Sequence, residues 1–323
     1  MTDLRFHAIL FGVVLIATYF TWNREISYGQ ADILRVWDRD STDVLAIAYQ
    51  ISEVEVRIER RTDQAGDFFW GTETVGGDEP RTTDFPVGGP GRNLVHQLAG
   101  LRTVRDLGPL STEMMTTFGI ADSSDRLAVQ FRDGQRELVL GDQVYGAEQR
   151  YAYEPATGMG HVLPRDIMTP LSNGQEAVRE RLVHRFDGED LARVRVHLGG
   201  TVRTMSRLGD TGEWAEPGSP APDVPFGTFM QRVGQLAIQG FAVRPGPDAR
   251  VLVRLEYLGS DDEPLGFMEL LRDDGREADP YFVLTETTRV PAQAMTFLAV
   301  RVDEWLGGVA TGGARGGLEL SEL

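Results

Sequence analysis

Cysteine and lysine are both absent from this chain. Without cysteine there is no disulfide, no thiolate nucleophile and no thiolate ligand for zinc or an iron–sulfur cluster. Such a chain is at home on either side of a membrane, so cysteine usage leaves the compartment open. All 32 basic residues are arginines, which rules out a phosphate-loop lysine, a Schiff-base lysine and a Ser–Lys dyad. Histidine is scarce: the set is His7, His96, His161, His184 and His197, and no two stand at a metal-ligand spacing. His96 and His184 read as surface or cap residues. Neither a GxSxG elbow nor an HExxH motif is present. The expectation is a chain with no catalytic residues, no metal and no cofactor.

Positive charge is also in deficit. Forty-nine acidic residues against 32 basic ones give a net charge of −17. A surface this acidic repels nucleic acid and anionic headgroups, so nucleic acid is not an expected partner. Hydrophobic residues make up 41% of the 323 positions and aromatics 9%, enough for two domains with a core each.

One long apolar run stands out, Phe6–Trp22, with no formal charge apart from a possible one on His7. At a helical rise its 17 residues just reach the lower limit for crossing a hydrocarbon core. Phe6, Phe11, Val13 and Leu15 would face lipid, while Tyr19 and Trp22 would sit in the aromatic belt. A cleaved signal peptide and a buried core helix are the alternatives. Against the first, no small-residue cleavage site directly follows the run; against the second, the run is apolar on all faces. The reading favoured is a permanent transmembrane anchor, residues 1–22. A mixed juxtamembrane segment, 23–42, follows it.

The rest of the chain reads as one module written twice. Val54 to Trp70 is strand-like, with Val54, Val56 and Ile58 alternating against charged neighbours, and Thr72–Gly91 reads as a polar Gly/Pro loop. Asn93–Val104 then has a helical stripe, with Asn93 as its cap. Leu127–Phe131 and Glu137–Leu140 flank an Asp133-Gly134 turn, and Tyr151–Glu154 leads to Leu163-Pro164. The same order returns about 130 residues later. Val194–Leu198 runs to Trp214, Phe226–Ile238 follows, and Val251, Val253 and Leu255 pair with Phe267, Glu269 and Leu271 across the turn Gly259–Pro264. Tyr281–Thr285 then leads to Val290-Pro291, and Pro291 opens a last helix reaching Trp305. The expected division is a first repeat at 43–171, a helical connector at 172–188, a second repeat at 189–306 and a disordered Gly-rich tail at 307–323. The expected fold class is α+β: one transmembrane helix, then two similar domains of mainly antiparallel sheet with packed helices.

Two segments imitate sites. Pro86–Gly91 is glycine-rich but does not fit GxGxxG and reads as a loop feeding a helix. Asp261-Asp262-Glu263 lacks the spaced oxygens of a calcium loop and reads as a hairpin tip. Trp70, Tyr151, Tyr153, Trp214 and Tyr281 are the candidate ligand-binding aromatics, able to line a cleft between the repeats or to fill their cores.

The duplicated pattern resembles a family of membrane-anchored bacterial proteins, domain-of-unknown-function family 4340. The resemblance rests on the anchor Phe6–Trp22, the unit from Trp70 to Asn93–Val104, and Phe118-Gly119-Ile120 before Leu127–Phe131. It also rests on Leu140-Gly141-Asp142 and Arg150-Tyr151-Ala152-Tyr153. Members are commonly encoded beside ABC-type transporter subunits related to gliding-motility auxiliary proteins. The resemblance implies a non-catalytic accessory subunit, single-pass in the inner membrane with its domains in the periplasm. Its partners would be the membrane subunits of the transporter complex, and its N-terminal helix would sit in the bilayer. An envelope glycan- or peptide-binding module is the alternative, and a hydrolase the third reading.

The anchor reading makes one prediction. Protein extracted from membranes should retain residues 1–22 by intact mass; a mature N-terminus beyond Trp22 contradicts it.

Overall fold

The computed structural model describes residues 34–310 apart from 65, 210 and 277–279. The anchor residues Phe6, Phe11, Val13, Leu15, Tyr19 and Trp22 lie outside that set, as does 311–323. Among the described residues no helix is long and apolar enough to cross a membrane.

Strands form where apolar and charged residues alternate. In β3 (Val54–Asp63) Val56 and Ile58 are buried while Glu55 and Arg57 are exposed, which leaves one face for a core and one for water. The first sheet also uses β2 (Val44–Ile51), β4 (Gly66–Val75), β5 (Arg81–Pro86) and β7 (Arg105–Pro109). Its remaining strands are β8 (Arg126–Phe131), β9 (Gly134–Gln143), β10 (Arg150–Glu154) and β11 (Met159–Leu163). The short β1 (Leu34–Arg35) and β6 (Arg102–Thr103) pair with each other. The second sheet has β12 (Arg193–Leu198), β13 (Thr201–Arg207), β14 (Trp214–Ala215) and β15 (Ile238–Gly240). It is completed by β16 (Ala249–Leu258), β17 (Pro264–Asp273), β18 (Tyr281–Thr285) and β19 (Ala292–Ala294).

The nine-stranded order is β5-β4-β3-β2-β8-β9-β10-β11-β7, and the eight-stranded order is β14-β13-β12-β16-β17-β18-β19-β15. Every pairing is antiparallel. From β4 to β7 and from β14 to β15 the two sheets follow the same path. The helices keep step with it. Helix α1 (Gly89–Ala99) precedes β6 and β7 as α5 (Val224–Val233) precedes β15, and α3 (Arg165–Ser172) follows β11 as α6 (Thr296–Ala310) follows β19. The first half alone adds β5 and the short α2 (Thr112–Thr117). One buried apolar cluster contains residues of both halves, from Trp37 and Val44 to Val302 and Val309.

Several boundaries differ from those expected. Thr72–Gly91 is mostly sheet: β4 runs on to Val75, and Thr72 bonds Asp84 at 2.7 Å as Thr74 meets Thr82 at 3.2 Å. Threonine satisfies its hydroxyl across the strands there, so a polar stretch can still be an edge hairpin. Helix α1 starts at Gly89, with Pro90 in its first turn, so Asn93 is not its cap, and Gly100 ends it before Val104. Helix α5 stops at Val233, and Ile238 enters β15.

The helical connector shrinks to α4 (Gln175–Val178), after which Arg179 is extended and bridged to Val87. A bulge between Val251 and Val253 re-registers the second hairpin, so Val253 faces Leu270 and Leu255 faces Met268. Pro291 precedes β19 instead of opening a helix, whereas Leu163 ends β11, so Leu163-Pro164 and Val290-Pro291 are not counterparts. The last helix continues past Gly307 to Ala310, into the expected tail.

Two helical glycines differ sharply in the room around them. A Cβ on Gly91 would meet the Val178 carbonyl oxygen at 2.7 Å, whereas one on Gly227 meets nothing within 4 Å. Gly91→Ala should therefore destabilise by about 1–3 kcal/mol, as overpacking does. Gly227→Ala should be neutral or stabilise by up to about 1 kcal/mol through helix propensity. Urea denaturation of the two variants checks the contrast.

Candidate functional site

An apolar cavity of about 690 Å³ lies in the second half, between helix α5 and the segment that enters the second sheet. Its helix is set by Asp223, whose carboxylate accepts from the Phe226 amide at 2.9 Å, with Pro225 in the first turn. The other oxygen of Asp223 takes the Arg203 guanidinium at 2.5 Å, so this acid is spoken for on both sides. Phe226 and Phe229 face the core, which leaves Gly227, Thr228, Met230, Gln231 and Val233 to line the cavity. Trp214 closes one end, edge-on to Phe226 at 5.6 Å.

The opposite wall comes from the extended chain after α4. Thr287 Oγ1 donates to the carbonyls of Leu182 at 2.7 Å and Val183 at 3.0 Å and so fixes that chain to the loop after β18. That chain brings two rings against a third, Tyr257 of β16. His184 stacks on Phe186 at 4.8 Å and meets Tyr257 at 4.6 Å, and Phe186 lies 5.1 Å from Tyr257. Nδ1 of His184 is 3.1 Å from a Glu286 carboxylate oxygen, and the other oxygen accepts from the Phe267 amide at 3.0 Å. A proton on Nδ1 satisfies this contact and leaves Nε2 as the free atom. Neither His184 Nε2 nor Tyr257 Oη has a partner among the described residues. Burial, reinforced by the Glu286 charge, pushes the Tyr257 phenol far above its ordinary value, so it stays a neutral donor. His184 is thus a wall of the cavity and not the surface residue expected.

The five candidate aromatics do not gather. Only Trp214 lines this cavity. Trp70 is buried on β4 beneath the Arg61 guanidinium at 5.3 Å. Tyr151 and Tyr153 lie on one face of β10, Tyr151 stacked on Phe118 at 4.3 Å. Tyr281 is buried and donates to Asp303 at 2.7 Å, while Arg272 pairs with the same carboxylate at 2.8 Å. Burial first, and the Asp303 contact second, raise the Tyr281 phenol above its ordinary value. Phe186 and Tyr257 were not among the candidates. Tyr257 looked like one apolar rung of a strand, and Phe186 sat inside a segment read as helix.

Elsewhere, Asp261–Glu263 is a hairpin tip, closed by Gly259 donating to the Glu263 carbonyl at 3.0 Å. Among the described residues no group of three or more His, Asp or Glu side chains could hold a metal. Comparison with family models, with curated proteins and with solved structures finds no match for this chain.

His161 carries a testable pH dependence. It is buried on β11, and both its ring nitrogens lack a partner among the described residues. Desolvation lowers its pKa below the ordinary 6.5, although Asp106 and Glu154 pull it upward. The unfolded chain therefore binds this proton more readily, and its contribution to stability is lost as pH falls below about 6.5. His161→Leu should flatten the loss of unfolding free energy between about pH 7 and 5. An unchanged slope in denaturant titrations contradicts the assignment.

Proposed function

We propose that this protein is a non-catalytic, membrane-tethered accessory subunit that acts by protein–protein contact, within an ABC-type complex of the gliding-motility kind. The single observation that carries the reading is the shared strand order of the two sheets. That order favours an internal duplication, with two similar domains displayed side by side. The second domain keeps the charged face of β12, β13, β16 and β17 for a partner. In the second sheet this open face carries Arg195, His197, Arg254, Glu256 and Glu269, paired along and across the strands, with Val202 exposed among them. A face of mixed, mutually paired charges around an apolar spot suits specific protein contact better than it suits lipid or nucleic acid.

In this reading the segment Phe6–Trp22 holds the two domains at the periplasmic side of the inner membrane, within reach of the transporter's membrane subunits. Catalysis is no part of the role in this reading.

The test is recovery from native membranes in mild detergent. The full chain should bring down integral membrane subunits of a transporter. Exchange of Phe6–Trp22 for an unrelated spanning helix, or Val202→Asp on the open face, should each lower that recovery several-fold. A wild-type chain that purifies alone contradicts the proposal.

A further inference from the structure

We propose that protonation of His161 draws the Glu154 carboxylate away from Trp37 and so unfastens residues 34–40 from the first half, an acid-sensitive catch on the strap that leads into the domain. The inference goes beyond the accessory role and stands on the first half alone.

His161 is 6% exposed, and both its ring nitrogens are without a partner among the described residues. A proton taken up there makes the ring a cation with a donor on each nitrogen. The register supplies the acceptor. His161 of β11 faces Ala152 of β10 while Met159 faces Glu154. Glu154 therefore lies diagonally beside His161 on the same face of the sheet, within reach of a long side chain. Glu154 is itself 6% exposed. One of its oxygens accepts from Trp37 Nε1 at 2.8 Å and the other from Thr157 Oγ1 at 2.6 Å.

Near pH 7 the ring is neutral: desolvation holds its pKa below the ordinary 6.5 against the pull of Asp106 and Glu154. Asp106 faces His161 from β7, where its carboxylate already accepts from the Gly108 amide at 2.8 Å. Arg102 on β6 and Arg35 and Asp38 on the strap are exposed, the last two paired with each other. Once charged, the imidazolium competes for Glu154 with a neutral indole N–H, and a charge-assisted hydrogen bond is the stronger.

The strap depends on that indole. Strand β1 is two residues long, and its Arg35 stands directly opposite Arg102 of β6, a like-charge pair that opposes the pairing. The amides of Val36 and Trp37 share one acceptor, the Leu101 carbonyl, at 2.8 and 3.3 Å. Trp37 is the one fully buried residue of 34–40, edge-on to Phe131 at 6.2 Å. An indole N–H without its acceptor is penalised in the core and satisfied in water, so the loss of Glu154 favours the open strap. Where Phe6–Trp22 is the membrane anchor, opening lengthens the tether between bilayer and domain; that consequence alone rests on the tethered reading.

The experiment uses the full chain in detergent and follows hydrogen exchange by mass spectrometry at about pH 7.5 and about pH 5, either side of the histidine range, with rates corrected for intrinsic pH dependence. Amides in 34–40 should exchange about tenfold faster at the lower pH, the value of one hydrogen bond, while those in 126–131 and 134–143 keep their protection. His161→Leu cannot take up the proton and should leave the strap protected at both values. Glu154→Gln keeps an acceptor for Trp37 without a charge for His161, and should also hold the strap at the lower pH. A wild-type strap equally protected at both values overturns the proposal. So does loosening that persists in His161→Leu or in Glu154→Gln. Protection lost evenly across the first sheet shows general acid destabilisation and overturns the local catch.

Discussion

The arrangement of this molecule depends on a short stretch of backbone, Val178–Glu180, laid against the chain that leads from β5 into helix α1. The Gly88 amide donates to the Val178 carbonyl at 2.9 Å, and the Glu180 amide donates to the Pro86 carbonyl at 2.8 Å. A side chain at position 88 would strike this backbone, since a Cβ there would lie 2.7 Å from the Arg179 carbonyl oxygen. The Arg179 guanidinium continues to the Gln239 carbonyl at 3.2 Å, in the second sheet. Glu180 is almost wholly buried, 2% exposed. Its carboxylate accepts from the amides of Arg181 and Leu182 and lies within 3.9 Å of Arg92 and 3.4 Å of Arg185. Stripping such a buried carboxylate of its partners costs about 3–5 kcal/mol, because its charge is left uncompensated.

The cavity is a consequence of the same constraint. A chain pinned in extended form at Arg179–Glu180 cannot fold back as helix, so it runs across the second sheet and presents His184 and Phe186 to Tyr257. A second fastening holds the loop after β18 to the first sheet. Arg289, at a positive φ of 58°, places its guanidinium 3.8 Å from the centre of the Phe68 ring and pairs with Asp63. Holding a non-glycine residue in that conformation costs of order 1 kcal/mol, which the ring and carboxylate contacts offset.

Much of the strand content was legible because it obeys a period of two: Val54–Ile58 and Leu127–Phe131 become strands with the expected faces, and Tyr151–Glu154 becomes a strand that buries Ala152 and Glu154. The order of elements was legible for the same reason. The misreadings share a cause in long-range contact. The sequence QEAVRERLVHRF has helical composition throughout, yet only Gln175–Val178 is helical, because the backbone of Arg179 and Glu180 finds its partners in residues 86–88. Thr72–Pro86 looked like loop because its turn residues outnumber its apolar ones, and threonine rungs across β4 and β5 are invisible until the strands are paired. The bulge at Val251–Val253 shifted a register that alternation alone had set. For the cavity, the sequence disclosed Trp214 and no more. His184 and Phe186 come from the pinned segment and Tyr257 from β16, and they meet only because that segment crosses the second sheet.

Calorimetry of the full chain and of Glu180→Ala tests the dependence on that segment most directly. If Val178–Glu180 locks the two halves together, the wild type melts in one cooperative transition and Glu180→Ala divides it into two. A wild type that already melts in two steps, or a Glu180→Ala variant with a single unshifted transition, contradicts the account.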